Sequence, residues 1–155
     1  MKVDWSYWIK NNKRSNEPLV CLPISVEADE QWSFVGKKSN QRWLWVVFGH
    51  HTKNIIAYCF GPRTDAMLQK ILQLLKPLTI VHWFTDGLGA YQRWINEKIL
   101  TVGKRHTQSI ERLFLTFRAR IKRLARKTIC FSKSTLMHDT VIGLFINREH
   151  FGRNV

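Results

Sequence analysis

Three strand-like runs separated by short polar segments dominate the first half of the sequence. Apolar and polar residues alternate over residues 24–35, and the polar segment 37–41 is predicted to be a turn. Residues 42–48 and 54–60 are rich in the aromatic and β-branched residues that favour strands, and a short turn separates them. Because connections this short cannot cross over a sheet, the pattern predicts three antiparallel strands.

A helix and a buried strand are predicted next. Glycine and proline end the third strand, and Thr64 is predicted to cap a helix whose apolar residues keep helical spacing as far as Pro77. Residues 79–85 form a nearly continuous apolar run, which predicts a strand that is buried on both faces and ends at Asp86. A helix between two such segments implies a crossover to a parallel strand.

The last third of the chain is predicted to contain three helices and one strand. A short helix is expected in residues 88–98, a fifth strand in 99–103, a long helix in 107–127 and a final helix in 136–148. The final helix is predicted to turn five side chains inward: Leu136, Met137, Val141, Leu144 and Phe145. This order predicts an α/β domain with a five-stranded mixed sheet, three antiparallel strands followed by parallel strands, flanked by helices.

The predicted helix 107–127 is strongly basic on one side. Its apolar stripe runs from Ile110 to Leu124, and after Glu111 its polar side carries cations and no acid. These cations are Arg112, Arg118, Arg120, Lys122, Arg123, Arg126 and Lys127. The whole chain has 25 Lys and Arg against 11 Asp and Glu, a net charge of +14, which predicts attraction to polyanions, nucleic acid first and anionic membrane second. The alternative is an ordinary solvated face.

Acids are scarce in this chain, and three of them occur at structurally marked positions. Asp29 interrupts the first predicted strand, Asp86 ends the fourth, and Glu111 lies in the first turn of the basic helix. Carboxylates from three separate elements suggest a metal site. Purely structural roles stay open for two of the acids, because Asp86 precedes a glycine and suits a turn, and Glu111 suits the positive end of a helix dipole. Glu27 and Glu30 are alternatives to Asp29.

Domain organisation and location follow from what the sequence lacks. Residues 1–23 are predicted to be a lead-in or linker, and residues 24–155 a single domain. No apolar run reaches the ~18 residues of a membrane span, so a cytoplasmic protein is expected. The cysteines Cys21, Cys59 and Cys130 are widely spaced and are predicted to be reduced thiols in the core.

Four short segments resemble the transposases of the insertion sequence 1 family. They are residues 29–32 (DEQW), 35–39 (VGKKS), 85–87 (TDG) with Tyr91 nearby, and 110–112 (IER) with Arg118 seven residues after the glutamate. The 24 residues between the second and third acids also fit that family. The resemblance covers the chain from about residue 26 to its end, and it implies a DDE transposase with a ribonuclease H-like catalytic domain in residues 24–155.

The resemblance also implies a site and a reaction. Asp29, Asp86 and Glu111 would be the catalytic residues and would bind two Mg²⁺ or Mn²⁺ ions. Five cations would contact DNA: Arg118, Lys122, Arg112, Lys104 and Arg105. Water would first attack the phosphodiester bond at a transposon end, and the freed 3′-hydroxyl would then attack target DNA, with no covalent enzyme intermediate.

Partners and competing functions complete the expectations. The family implies a homo-oligomer on paired transposon ends in a prokaryotic, nucleoid-associated setting, and an upstream DNA-binding region that a second reading frame would supply. This chain has no paired cysteines for the zinc ribbon of such a region. The alternatives are a ribonuclease H-type nuclease that cuts RNA–DNA hybrids, and a catalytically silent basic DNA-binding protein.

Overall fold

A computed structural model describes residues 23–125 and 127–152, and the predicted lead-in therefore lies outside the described residues except for Pro23. One five-stranded sheet organises the domain. Its strands are β1 (Ile24–Val35), β2 (Lys37–Gly49), β3 (Ile55–Gly61), β4 (Ile80–Thr85) and β5 (Leu100–Val102), in the spatial order β3-β2-β1-β4-β5. β1, β2 and β3 pair antiparallel, whereas β4 and β5 are parallel to β1. The predicted five-stranded mixed sheet is confirmed.

Helices cover both faces of the sheet. They are α1 (Asp65–Leu75), α2 (Gly89–Trp94), α3 (Gln108–Arg120) and α4 (Thr135–Phe151), with short 3₁₀ turns at Glu97–Ile99, Lys104–His106 and Lys122–Leu124. Residues of α1 and α2 pack with Val26, Ala28 and Trp45 into one core. Residues of α3 and α4 pack on the opposite face with side chains from β2 and β3. No helix in the described ranges is long and apolar enough to cross a bilayer.

The first hairpin is tighter than its sequence predicts. The segment 37–41 was expected to be a turn, but β2 begins at Lys37 and pairs with the end of β1. Gly36 alone makes the reversal, with φ at +75°, a backbone conformation that residues other than glycine rarely adopt. The polar residues of this segment are therefore strand residues on the exposed end of the sheet.

Two predictions about burial and helix ends are wrong. α3 ends at Arg120, because Ile121 adopts an extended conformation and a 3₁₀ turn follows, so Lys122, Arg123 and Lys127 lie outside the helix. Ile121 and Leu124 are nevertheless buried, because a 3₁₀ turn also brings residues three apart to one side. β4 is not buried on both faces: Val81 is exposed, because this end of the sheet is covered mainly on the α1 and α2 side.

The last helix turns a different face inward from the one predicted. α4 buries His138, Ile142, Gly143 and Ile146, whereas Leu136 is 75% exposed and Met137 and Leu144 are also exposed. Apolar residues occur all around this helix, so hydrophobic spacing could not select the buried side. A hydrogen-bonded histidine and a glycine occupy positions that an apolar pattern does not reveal. Of the three cysteines predicted to be core thiols, Cys21 lies outside the described residues and Cys59 is half-buried. Cys130 is exposed in the segment before α4, so the prediction is wrong there.

Candidate metal and DNA site

Two of the predicted acids meet where the parallel pairing of β1 and β4 ends. The two strands pair as far as Ala28 and Thr85; Asp29 is the next residue within β1, and Asp86 directly follows β4. Oxygens of Asp29, Asp86 and Glu30 all lie within 4.8 Å of one another. The carboxyl edge of a parallel sheet is where α/β proteins commonly bind ligands. The fold thus creates a carboxylate cluster, defined here as Asp29, Glu30 and Asp86.

Asp29 is held in an unusual electrostatic environment. The pKa of its carboxyl group is raised from 3.8 to about 7, first by burial and then by the negative charges of Glu30, Asp86 and Glu111. The backbone N–H of Glu30, which donates to Asp29 Oδ1 at 2.7 Å, partly opposes the rise. Asp86 accepts a bond from the backbone N–H of Leu88 at 3.0 Å, which fixes its side chain at the start of a turn. Both aspartates therefore have one oxygen anchored to the backbone.

Glu30 is buried and both its oxygens are engaged. Arg63 Nε donates to Oε1 at 2.7 Å, and the Tyr91 hydroxyl donates to Oε2 at 3.0 Å. Burial raises the pKa of Glu30, and the bond from Arg63 opposes that rise. Strand alternation places this side chain on the α1 and α2 face, as the sequence predicts. Its carboxylate is nevertheless close to those of the two aspartates. Of the two glutamates that the sequence left open, Glu30 is the one in the cluster.

Glu27 has a different place. It is fully buried on the other face of β1, where its Oε2 accepts the backbone N–H of Ile110 at 3.0 Å. Its Oε1 lies 2.8 Å from His50 Nδ1 and 3.6 Å from Lys53 Nζ. Glu27 thus fixes the first turn of α3 to the sheet. Glu111 is the residue after Ile110 in that turn.

Glu111 completes the set of predicted acids at a greater distance. It is exposed in the first turn of α3 and is outside the carboxylate cluster as the described residues define it. Its charge still contributes to the raised pKa of Asp29, so the two carboxylates belong to one electrostatic site. The three predicted acids are therefore at the same end of the sheet and not scattered over the molecule.

The predicted DNA-contacting cations lie on α3 and in the turns at its two ends. Arg112 is exposed on α3, and Arg118 is half-buried two residues before its end. Lys104 and Arg105 are exposed in the 3₁₀ turn that precedes α3, and Lys122 is exposed in the turn that follows it. Sequence reasoning missed Arg63, whose only signal was a cation in a loop, and it did not pair Tyr91 with an acid.

Comparison with known proteins decides the family. A family model described as IS1 transposase matches residues 19–152. The chain belongs to the IS1 transposase family. DNA transposase function follows from that membership, with polynucleotidyl transfer as its reaction class. The predicted identity is confirmed.

Individual relatives of this IS1 transposase agree over most of its length. The insertion element iso-IS1n protein InsB of Shigella dysenteriae is 50% identical over 130 residues, which cover 84% of this chain and 99% of the relative. The insertion element IS1 protein InsB of Shigella sonnei is 43% identical over 128 residues, covering 83% and 98%. An insertion element IS1 4 protein InsB of Escherichia coli K12 is also 43% identical, with 77% of its length covered.

A solved structure with little sequence similarity shows the fold. The HTLV-2 integrase catalytic core domain, in complex with magnesium, superposes with a TM-score of 0.52 at 13% identity. The superposition covers 83% of this chain and 88% of the integrase domain. The ribonuclease H-like fold predicted for the IS1 transposase is thereby confirmed.

Proposed function

We propose that Asp29, Asp86 and Glu111 form the catalytic metal site with which this transposase cuts phosphodiester bonds at transposon ends and joins the freed ends to target DNA. The observation that carries the proposal is the meeting of Asp29 and Asp86 in the carboxylate cluster. In a chain of net charge +14, three acids gathered where the pairing of β1 and β4 ends are not explained by general surface composition.

The residues fit a hard divalent cation. Mg²⁺ and Mn²⁺ prefer carboxylate oxygens. In both Asp29 and Asp86, one carboxylate oxygen accepts a hydrogen bond from a backbone N–H, which orients the side chain. Burial, and after it the neighbouring carboxylates, raise the pKa of Asp29 by disfavouring its charged form, which a bound cation would stabilise. We propose that Asp29 and Asp86 hold the metal and that Glu111 approaches it from α3. When bound, two such ions activate the attacking oxygen and stabilise the leaving oxygen.

Other residues position this site. Glu30 shares both its oxygens with Arg63 and Tyr91, so its role is to hold the loop before α1 and helix α2 against the end of β1. Glu27 holds the start of α3, and with it Glu111, against the opposite face of the same strand. The acids on β1 therefore tie together the elements on both sides of the sheet at the point where DNA would be cut.

The surrounding cations orient the DNA. Arg112, Arg118, Lys122, Lys104 and Arg105 flank the α3 side of the site and would contact phosphates of the bound duplex. Contacts of this kind supply affinity without sequence specificity and weaken steeply with salt. A homo-oligomer on paired ends, nucleoid association and an upstream DNA-binding region from a second reading frame are part of the same proposal, and they rest on the family resemblance.

Strand transfer of pre-cut transposon-end DNA in Mg²⁺ or Mn²⁺ tests the assignment. Asp29→Asn, Asp86→Asn and Glu111→Gln should each lower the rate about a thousandfold, because each removes charge that the metal site needs. Asp65→Asn is the matched control, since Asp65 is an acid on α1 that pairs with the exposed Arg93. A variant that keeps its activity removes its residue from the site.

The same assay separates the alternative functions. A ribonuclease H-type nuclease would cut an RNA–DNA hybrid and leave transposon-end duplex intact. A silent DNA-binding protein would bind DNA equally with metal or chelator and would cut neither substrate.

A further inference from the structure

The edge of β1 next to the carboxylate cluster is open. β4 pairs with β1 only as far as Ala28, and the next partner on that edge is Ser132, which forms a bridge to Val35. The Ser132 carbonyl accepts the backbone N–H of Gly36 at 2.7 Å, which ties the segment before α4 to the end of β1. Between these two pairings, β1 has no strand partner on this edge in the described part of the chain. A strand of roughly 3.3 Å per residue makes this opening about 20 Å long.

A groove with aromatic and cationic walls lies at the far end of this opening. It encloses about 490 Å³ between β1, the end of α3 and the segment before α4. We call it the aromatic–basic groove and define it by six residues: Trp32, Phe34, Phe131, Lys38, Arg118 and Arg123. The rings form a continuous series, with centroids 5.7 Å apart between Trp32 and Phe34 and 5.6 Å apart between Phe34 and Phe131.

The rings are not simply a closed core. Trp32 is 40% exposed, so part of its ring surface faces the groove. Lys38, Arg118 and Arg123 line the groove, and no carboxylate is found among the described residues that do so. Arg123 and Phe131 also line an adjoining cavity of about 580 Å³, where Lys122 and Lys133 add two further cations. An aromatic surface thus lies directly beside a cationic one.

A buried hydrogen-bond chain holds one wall of the groove in place. Arg123 Nη1 donates to Ser132 Oγ at 3.3 Å, and Ser132 Oγ lies 2.8 Å from His138 Nδ1. His138 Nε2 lies 3.0 Å from Ser33 Oγ, which donates its hydrogen to the carbonyl of Arg42 at 2.6 Å. The contact with Ser33 requires a proton on His138 Nε2, and burial lowers the pKa of His138, which favours the neutral ring with Nδ1 accepting from Ser132. The wall is therefore pre-organised.

We propose that the aromatic–basic groove binds an unpaired nucleotide of the DNA strand whose backbone passes the carboxylate cluster. The proposal rests on the function proposed above and adds the kind of DNA structure that the site takes. The base stacks against Trp32, and the cations of the adjoining cavity contact the phosphates. Aromatic stacking beside a cationic groove is the common way in which proteins hold single strands, because every base has a face that can stack.

Charge and geometry favour this occupant over others. In a duplex the faces of the bases are already stacked on one another, so only an unpaired base can use the ring of Trp32. A second copy of this chain would bring the same cations face to face, which like-charge repulsion opposes. A nucleotide supplies a flat base that can stack on the rings of the groove and a negatively charged phosphate that can pair with its cations.

Fluorescence anisotropy in EDTA, with no metal present, tests the proposal. The probes are a labelled oligothymidine, an abasic strand of the same length and charge, and a duplex. Trp32→Ala should weaken oligothymidine binding about tenfold while leaving the abasic strand and the duplex unchanged within a factor of about two. Trp32→Phe should keep most of the affinity, because it keeps a ring. Trp94→Ala is the matched control, since Trp94 on α2 is 47% exposed and far from the groove in the chain.

The outcomes are distinct. Equal losses on all three probes, or no loss on oligothymidine, overturn the proposal, and so does a change in oligomeric state without a change in single-strand binding. If Trp32→Ala does not fold by circular dichroism, Phe131→Leu serves in its place with the same expected selectivity. If Asp86→Asn loses cutting but Trp32→Ala does not selectively weaken oligothymidine binding, only the groove proposal is rejected. If Asp86→Asn still cuts DNA but Trp32→Ala selectively weakens oligothymidine binding, only the catalytic assignment is rejected.

Discussion

The two faces of β1 are built from different chemistry. Toward α1 and α2 the strand presents Val26 and Ala28 to an apolar core before it reaches Glu30. Toward α3 and α4 it presents a polar row of Glu27, Asp29, Gln31 and Ser33, and among the described residues it contributes nothing to the apolar core on that side. One strand therefore packs by burial on one face and by hydrogen bonding on the other.

The polar row works as a set of specific attachments. Glu27 binds the start of α3, Gln31 Nε2 donates to the carbonyl of Phe114 at 3.4 Å, and Ser33 binds His138 of α4. Asp29 differs from the rest of the row, because its hydrogen-bonded oxygen accepts from the backbone N–H of the next residue, Glu30, and attaches no other element. Apolar packing tolerates small shifts between surfaces, whereas buried hydrogen bonds require one geometry. The face with the stricter positioning is therefore the one on which Asp29, the proposed catalytic residue, lies.

The largest effect is expected from breaking the polar face at Glu27. Glu27→Ala leaves the buried N–H of Ile110 without its acceptor and should lower the free energy of unfolding by about 4 kcal/mol. Urea unfolding measures the change. Glu149→Ala, which removes an exposed partner of Arg120, is the control and should cost under about 1 kcal/mol. Equal costs for the two variants would mean that the attachment at Glu27 contributes nothing special.

A smaller effect should follow from neutralising Asp29. Its pKa is about 7 in the folded protein and 3.8 as the ordinary value, so the folded state binds the proton more tightly. Stability without metal should therefore fall as pH rises from about 4 to about 7, by on the order of 3 kcal/mol. Asp29→Asn should remove that slope. Thermal unfolding in EDTA across this pH range tests it, and an unchanged slope in the variant would contradict the assignment.

The smallest effect is expected on the other face. Tyr91→Phe removes one hydrogen bond to Glu30 but keeps the ring that packs beside Trp45, so it should cost about 1 kcal/mol. Arg63 would still hold the other oxygen of Glu30. Urea unfolding again provides the measurement. A loss as large as that of Glu27→Ala would show that both faces of β1 depend on their polar contacts to the same degree.

The order of elements could be predicted because its signals are local. Alternation in β1 and the apolar run of β4 need no knowledge of distant residues, and they place Asp29 within a strand and Asp86 directly after one. The partners of Glu27 and Glu30 could not be predicted, because Ile110 and Arg63 are brought to them by tertiary packing. No spacing rule connects such residues.

Helix faces and helix ends were predictable only where polarity was one-sided. α3 has a clear apolar stripe, and its four buried residues follow the predicted spacing: Ile110, Leu113, Phe114 and Phe117. Its early end at Arg120 has no proline or glycine to announce it. α4 is apolar on all sides, and its inward face is selected by the bonds of His138 to two serines. That information lies in pairs of residues and not in a periodic pattern.

The bond between Glu27 and the backbone of Ile110 joins positions 83 residues apart. Contacts that close so long a loop generally form late in folding, after the local hairpin of β1 and β2. On a ribosome, the aspartates of the sheet would emerge well before Glu111 and the helix that carries it. The proposed metal site would therefore assemble only after the helix that carries Glu111 has been synthesised and has docked on the sheet.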